Sequence, residues 1–267
     1  MPIVDLKSGE RIWYKTTGSG KPLLHIHGSA FGHRNFEKLT PLCARDYEVI
    51  DIDLPGYGES TGAPAASMEG IADQVLGFLD AAGIGRVNLH GTSFGAMIGL
   101  TLTARRPEAI DKLVLSCFLC RYDKAARMMR STWKRAARES GMEAVADLTS
   151  VAGFARRFYE RPEADAQLQS MRDAFLKTTP DAFIKGTETI ERTDLSAYAP
   201  QIKVPTLMLA GAEDNMTPFK PAASGVGFHQ ITQLMPDARL EVLPDCGHYL
   251  VIEQPDLAAE HIRGFLG

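Results

Sequence analysis

Gly91-Thr92-Ser93-Phe94-Gly95 lies between Arg86-Val87-Asn88-Leu89, a short run of strand character, and Ala96-Met97-Ile98, which opens an apolar helical stretch. A serine with glycines two residues before and after it suits a sharp strand-to-helix turn. Such a turn strains the backbone at the serine, so those neighbours must be small. It also lifts the hydroxyl clear of the sheet, beside a helix start that favours developing negative charge. Ser93 is therefore the candidate nucleophile. A nucleophilic serine needs a base, an acid to orient that base, and donors for an oxyanion.

The acid belongs in a loop beyond a strand. Pro205-Thr206-Leu207-Met208-Leu209-Ala210-Gly211 is an apolar strand run, followed by Ala212-Glu213-Asp214-Asn215. Asp214 is the candidate because it lies farther toward the C-terminal edge, where open α/β sheets place their sites; Glu213 is the alternative. Of the seven histidines, His248 follows the strand run at 240–243, and Gly247 gives its loop the freedom to present an imidazole. His25 alternates with His27 on an apolar run, His90 precedes the serine turn, and His33, His229 and His261 have no chemistry beside them. Nucleophile, acid and base thus each follow their own strand, in the order Ser93, Asp214, His248. The oxyanion donors expected are the amide of Phe94 and one from the loop after His27-Gly28. Ser29 is the candidate there, with Ala30 as the alternative. Gly28 lets that loop approach closely, and His27 reads as its anchor.

The elements that must hold these residues alternate. Val4–Leu6 and Ile12–Thr16 suggest an N-terminal hairpin, and strands follow at 23–27, 47–55, 86–89 and 112–117. Helices are expected at about 35–45, from Ser67 to a stop at Gly83, and from Ala96. Strand–helix–strand repetition means parallel crossover units with helices on both faces. The pattern breaks after Cys120. Residues 121–195 carry helical periodicity and no strand, and the alternation resumes with a strand at 205–211, a helix near 221–235, the strand at 240–243 and a helix from Pro255. The reading is an α/β core of 1–120 and 196–267, interrupted by a helical insertion at 121–195.

The chain has 267 residues, 45% of them hydrophobic, with a formal net charge of -4. That supports a sizeable core and gives no electrostatic reason to expect nucleic acid or an anionic membrane as partner. No apolar run approaches a membrane span, and the N-terminal residues lack the layout of a secretory signal. Four cysteines are too few for a disulfide scaffold, so a cytoplasmic location is expected. Cys117 and Cys120 form a C-x-x-C at the end of a strand run rather than at a helix start, which favours core packing over redox chemistry. Thr17-Gly18-Ser19-Gly20-Lys21-Pro22 is a turn, since Pro22 stands where a phosphate loop needs Ser or Thr.

Five motifs then fall in order: His27-Gly28-Ser29, Asp53-Leu54-Pro55-Gly56-Tyr57-Gly58-Glu59-Ser60, Gly91-Thr92-Ser93-Phe94-Gly95, Gly211-x-x-Asp214 and Gly247-His248. Together they resemble the α/β-hydrolase family over nearly the whole chain. The resemblance implies an eight-stranded, mostly parallel sheet flanked by helices, a helical cap, and a serine hydrolase needing no metal or organic cofactor. Within the family the chain is similar to small bacterial esterases and enol-lactonases, and to the carbon–carbon hydrolases of aromatic ring-cleavage pathways. It differs from the latter in carrying Thr92 where they have Asn before the nucleophile, and Tyr249 where they have Trp after the base. The leading expectation is an esterase or lactonase acting on a small acyl substrate, as monomer or homodimer. Carbon–carbon hydrolysis of a dienone acid, haloperoxidase-like perhydrolysis, and a ligand-binding receptor on the same fold remain alternatives.

The insertion would select the substrate. From Tyr122 to Glu139 the spacing predicts an amphipathic helix with Ala125, Met129, Thr132, Trp133 and Ala136 on one side. Met128, Met129 and Trp133 are expected to roof the acyl pocket, and Gly28, Ala30 and Tyr249 complete the expected substrate-binding set. Lys124, Arg127, Arg130, Lys134 and Arg138 recur three or four apart on another side. They form either a solvated basic face or, through one or two members, a hold on a substrate carboxylate.

Overall fold

The computed structural model describes residues 2–235 and 237–267. Its strands are β1 (Ile3–Asp5), β2 (Arg11–Thr17), β3 (Lys21–Ile26), β4 (Tyr47–Ile52), β5 (Val87–Thr92), β6 (Ile110–Ser116), β7 (Thr206–Gly211) and β8 (Arg239–Leu243). They form one sheet in the order β1-β2-β4-β3-β5-β6-β7-β8. β1, β2 and β4 pair antiparallel, and every pair from β4 through β3 to β8 is parallel. All six residues of β5 and of β7 are buried, as strands covered on both faces must be. This places the ends of β5, β7 and β8, where the serine, acid and histidine follow, along one edge of the sheet.

Helices cover the two faces. On one, α2 (Met68–Ala81) and α3 (Phe94–Arg105) pack with α8 (Phe228–Leu234). On the other, α1 (Thr40–Cys43), α9 (Leu250–Glu253) and α10 (Pro255–Leu266) close the second core. The α2 start is set by Ser67, whose hydroxyl accepts the Gly70 amide at 3.1 Å. Two helical segments are shorter than their periodicity suggests. The one expected at 35–45 splits into a 3-10 turn at Gly32–Phe36 and the single turn α1, because Pro41 has no N–H and its ring excludes a preceding helical turn. The one expected at 221–235 begins only at Phe228, since Pro221, Gly225 and Gly227 hold the preceding residues out of a helix.

Between β6 and β7 lie α4 (Lys124–Glu139), α5 (Gly141–Gly153), α6 (Ala164–Phe175) and α7 (Pro180–Arg192), with a third apolar cluster beneath them. That cluster reaches down to Phe31, Met216 and Tyr249 of the sheet-edge loops. Among the described residues, no helix is long and apolar enough to cross a membrane. Asp123 starts α4, one carboxylate oxygen accepting the Ala126 amide at 2.9 Å and the other the Ala222 amide at 3.0 Å. That start sets the helical phase, and the buried residues are Ala126, Arg130, Trp133 and Ala137. The buried face is thus rotated from the one the alternation of apolar residues suggests, and it carries an arginine.

Candidate active site

Ser93 caps α3 with φ +55° and ψ -112°, a backbone conformation rarely open to a residue with a side chain. The flanking glycines permit it. A Cβ on Gly91 would collide with the Gly95 carbonyl, and one on Gly95 with the Ile26 carbonyl of the neighbouring strand. The Ser93 amide is tied to the Ser116 carbonyl at 2.8 Å, so the turn is fixed against β6.

The structure brings Ser93, His248 and Asp214 into one hydrogen-bonded line. His248 Nε2 lies 3.0 Å from Ser93 Oγ, and His248 Nδ1 lies 2.9 Å from Asp214 Oδ2. All three side chains are buried. An ionised carboxylate only accepts, so Nδ1 carries the proton toward Asp214 and Nε2 is free to accept from the serine hydroxyl. Asp214 is held in turn: Oδ1 accepts the amides of Met216 and Thr217, each at 2.8 Å, and Oδ2 accepts the Thr217 hydroxyl at 2.6 Å. Burial alone would raise its pKa. The neighbouring His248 and the Thr217 donors outweigh burial and leave the carboxyl below its usual range. Glu213 points to solvent instead.

The loop after β3 is anchored from beneath. The Leu54 amide donates to His27 Nε2 at 3.0 Å, so Nδ1 bears the hydrogen and donates to the Gly28 carbonyl at 2.7 Å. Burial pushes the His27 pKa down, in keeping with this neutral form. A trans peptide points its N–H opposite to its carbonyl, so the bond that holds the Gly28 carbonyl also fixes the direction of the Ser29 amide. The Gly28 amide goes to Asn35 Oδ1 at 2.8 Å. Neither the Ser29 nor the Phe94 amide donates to a protein acceptor among the described residues. Both remain free to serve an oxygen at Ser93.

A small cavity opens over Ser93. Gly28, Ser29, Trp133 and Tyr249 line it. Three expected residues do not. Met128 is 65% exposed, because it lies about 160° around α4 from inward-facing Arg130. Met129 is half-buried and packs among the insertion helices rather than on the cavity. Ala30, at φ +71°, turns back into the same apolar cluster, and its carbonyl accepts the Thr178 hydroxyl at 3.1 Å.

The walls also include Phe31, Asn35, Phe175, Phe183 and Met216, none of which is marked by a motif. Phe31 and Met216 stand within three residues of Gly28 and Asp214, which is the one signal that would have found them. Phe175 and Phe183 reach the cavity only through the packing of α6 and α7.

Two groups brace the site from outside. Glu253 accepts the Gly247 amide at 2.9 Å and the Ala155 amide at 3.0 Å, tying the histidine loop to the end of α5. Burial raises its pKa to about 7, against the pull of those two amides and of Arg161. Cys117 packs behind Asp214 and His248, and burial pushes its thiol well up. It forms no disulfide with Cys120; all four cysteines are free and buried.

Residues 21–255 match the family model described as alpha/beta hydrolase fold. The chain is 27% identical to the pimeloyl-[acyl-carrier protein] methyl ester esterase of Nitrosomonas europaea, over 92% of this chain and 95% of that protein. It is 25% identical to the 2-hydroxy-6-oxo-6-(2'-aminophenyl)hexa-2,4-dienoic acid hydrolase of Metapseudomonas resinovorans, over 95% of this chain and 86% of the relative. Among solved structures it is similar to the enol-lactonase of Burkholderia xenovorans LB400, with a TM-score of 0.88 and 25% identity over 99% of both chains.

Proposed function

We propose that this chain, which belongs to the alpha/beta hydrolase family, is a serine hydrolase that cleaves a small carboxylic ester or lactone through an acyl-enzyme. One observation carries the reading: the continuous Ser93–His248–Asp214 line ends on a strained serine, with two unengaged amides beside it. In the reaction His248 takes the Ser93 proton as the hydroxyl attacks the acyl carbon. Asp214 holds the imidazole and steadies its charged form. The amides of Phe94 and Ser29 receive the oxyanion, each worth about 3 kcal/mol in the transition state by the measure of other such donors. His248 then returns its proton to the departing alcohol, or to the ring oxygen of a lactone. Water, activated by the same imidazole, clears the acyl group from Ser93.

Residues 121–195 act as a lid on a core of 1–120 and 196–267, with Trp133 of α4 over the acyl group. The methyl ester esterase and enol-lactonase relatives support the ester and lactone reading. The dienoic acid hydrolase relative supports a second one, carbon–carbon hydrolysis on the same groups, so the test sets the two against each other. Purified protein is assayed with p-nitrophenyl butyrate, a five-membered lactone and a ring-cleavage dienone acid. Turnover of the ester or the lactone is the expected result. Turnover of the dienone acid alone would replace this reading with the second.

A further inference from the structure

Arg130 sits where a cation is hard to keep. Its side chain is 3% exposed and forms part of the wall of the Ser93 cavity, between apolar and aromatic neighbours. Its guanidinium lies 4.5 Å from the Tyr122 ring centroid and 5.5 Å from that of Trp133. One N–H donates to the Tyr122 hydroxyl at 2.7 Å. These partners are neutral. Among the described residues, no carboxylate lies within ion-pair distance of Arg130, and no other permanently charged side chain lines the cavity.

The rest of the basic stripe on α4 is already engaged or solvated. Lys134 pairs with Glu191 at 2.6 Å and Arg138 with Glu188 at 3.7 Å, both on α7. Arg127 donates to the Tyr122 carbonyl at 3.0 Å, and Lys124 is exposed. Those residues fasten α4 to its neighbours or face water. Arg130 alone turns its charge inward.

A buried guanidinium with no counter-ion is costly, and helix packing gives no reason to choose it over an apolar residue. A molecule that enters the cavity carrying an anion would remove that cost. The fork of N–H groups matches a carboxylate in a planar, two-point contact, and the low-polarity walls strengthen the attraction. One cation in an apolar cavity suits a monoanion better than a dianionic phosphate. We infer that Arg130 is an anion-binding subsite, and that the acyl substrate carries a carboxylate held there while its ester or lactone carbonyl sits at Ser93. The inference rests on the hydrolytic reading above for the second half of that statement, and on Arg130 alone for the first.

The test separates the two halves. Wild type, Arg130→Gln and Arg130→Lys are assayed against the monomethyl esters of glutaric and adipic acids and against methyl pentanoate and methyl hexanoate, which lack the charge. In parallel, binding of monomethyl glutarate and of neutral dimethyl glutarate to Ser93→Ala is followed by calorimetry, with and without Arg130→Gln. The expected result is a kcat/KM at least tenfold higher for an anionic ester than for its neutral counterpart in wild type. Arg130→Gln should lower that ratio at least tenfold, mainly through KM, and Arg130→Lys should restore part of it. Charge-selective binding to Ser93→Ala should vanish in Ser93→Ala with Arg130→Gln. Melting temperatures of the variants confirm that each is folded. Equal losses for charged and neutral esters, or no charge selectivity in wild type, would overturn the subsite. Charge-selective binding without turnover of any of these esters or of the five-membered lactone would support the subsite and overturn the hydrolytic reading.

Discussion

The Glu253 carboxylate and the Gly247 amide are joined at 2.9 Å, one residue before the histidine that faces Ser93. The other oxygen of the same carboxylate takes the Ala155 amide at 3.0 Å, beyond the end of α5. The position of His248 therefore depends on a buried acid outside the Ser93–His248–Asp214 line. The His248 amide adds a bond of 2.6 Å to the Gly153 carbonyl, so insertion and base loop are fastened at two points.

Glu253 should make stability depend on pH. Its pKa is raised from an ordinary 4.5 to about 7 by burial. Between those values the folded protein keeps a proton that the unfolded chain has released. The stabilising contribution is complete below about 4.5 and is lost as pH rises through about 7, on the order of 3 kcal/mol in all. Glu253→Gln removes this slope, so the Tm difference between variant and wild type should shift in the variant's favour from pH 5 to pH 8. Thermal melts of both proteins across that range are the check; parallel Tm curves would contradict the assignment.

Asp214→Asn should cost kcat on the order of 10⁴-fold, the scale on which a serine–histidine pair depends on its orienting carboxylate. Glu213→Gln should cost less than threefold, because Glu213 is exposed and its contact with the base loop is a backbone one, to the Cys246 carbonyl at 2.8 Å. Steady-state kinetics on p-nitrophenyl butyrate measure both. A reversed order of effects would move the acid to Glu213.

Gly95→Ala should be among the most destabilising single changes, about 4 kcal/mol or more, since the added Cβ meets the Ile26 backbone. Gly264→Ala, in α10 with open space around it, should instead stabilise by about 0.5–1 kcal/mol through helix propensity. Urea titrations compare the two with wild type. Equal effects would mean that the close approach at Gly95 is relieved by a cheap backbone shift.

Trp133→Ala should shift the preferred acyl chain toward longer esters and change kcat/KM for short ones by about tenfold or more, the weight of a methylene-sized fit in an apolar pocket. Met128→Ala should leave the chain-length profile where it is, as Met128 faces solvent. A p-nitrophenyl ester series reads both. A profile that moved with Met128 would place that side chain over the cavity after all.

The parts of the site that stand on tight turns were legible in the sequence, because a turn needs particular residues. Gly91 and Gly95 around Ser93, and Gly247 before His248, mark positions where backbones touch. The alternation of strands and helices likewise announced the sheet. The phase of α4 was not legible. Counting apolar residues puts Met129, Trp133 and Ala136 inward, whereas the Asp123 cap and the fit to α7 keep Trp133 inside and bury Ala126, Arg130 and Ala137 with it. An arginine that belongs inside cannot be told from its exposed neighbours by spacing. Phe175 and Phe183 were equally silent, since their place depends on how α6 and α7 lie over the sheet. Glu253 is set apart only by what it binds, two backbone amides that no sequence pattern displays.

The central claim is that Ser93 is the nucleophile, and covalent labelling tests it most directly. The protein is treated with a fluorophosphonate probe, digested, and the modified residue is located by mass spectrometry, with Ser93→Ala and heat-denatured wild type as controls. The account predicts one adduct, on Ser93, absent from both controls, together with loss of ester turnover in Ser93→Ala by several orders of magnitude. An adduct on another residue, with turnover retained in Ser93→Ala, would contradict it.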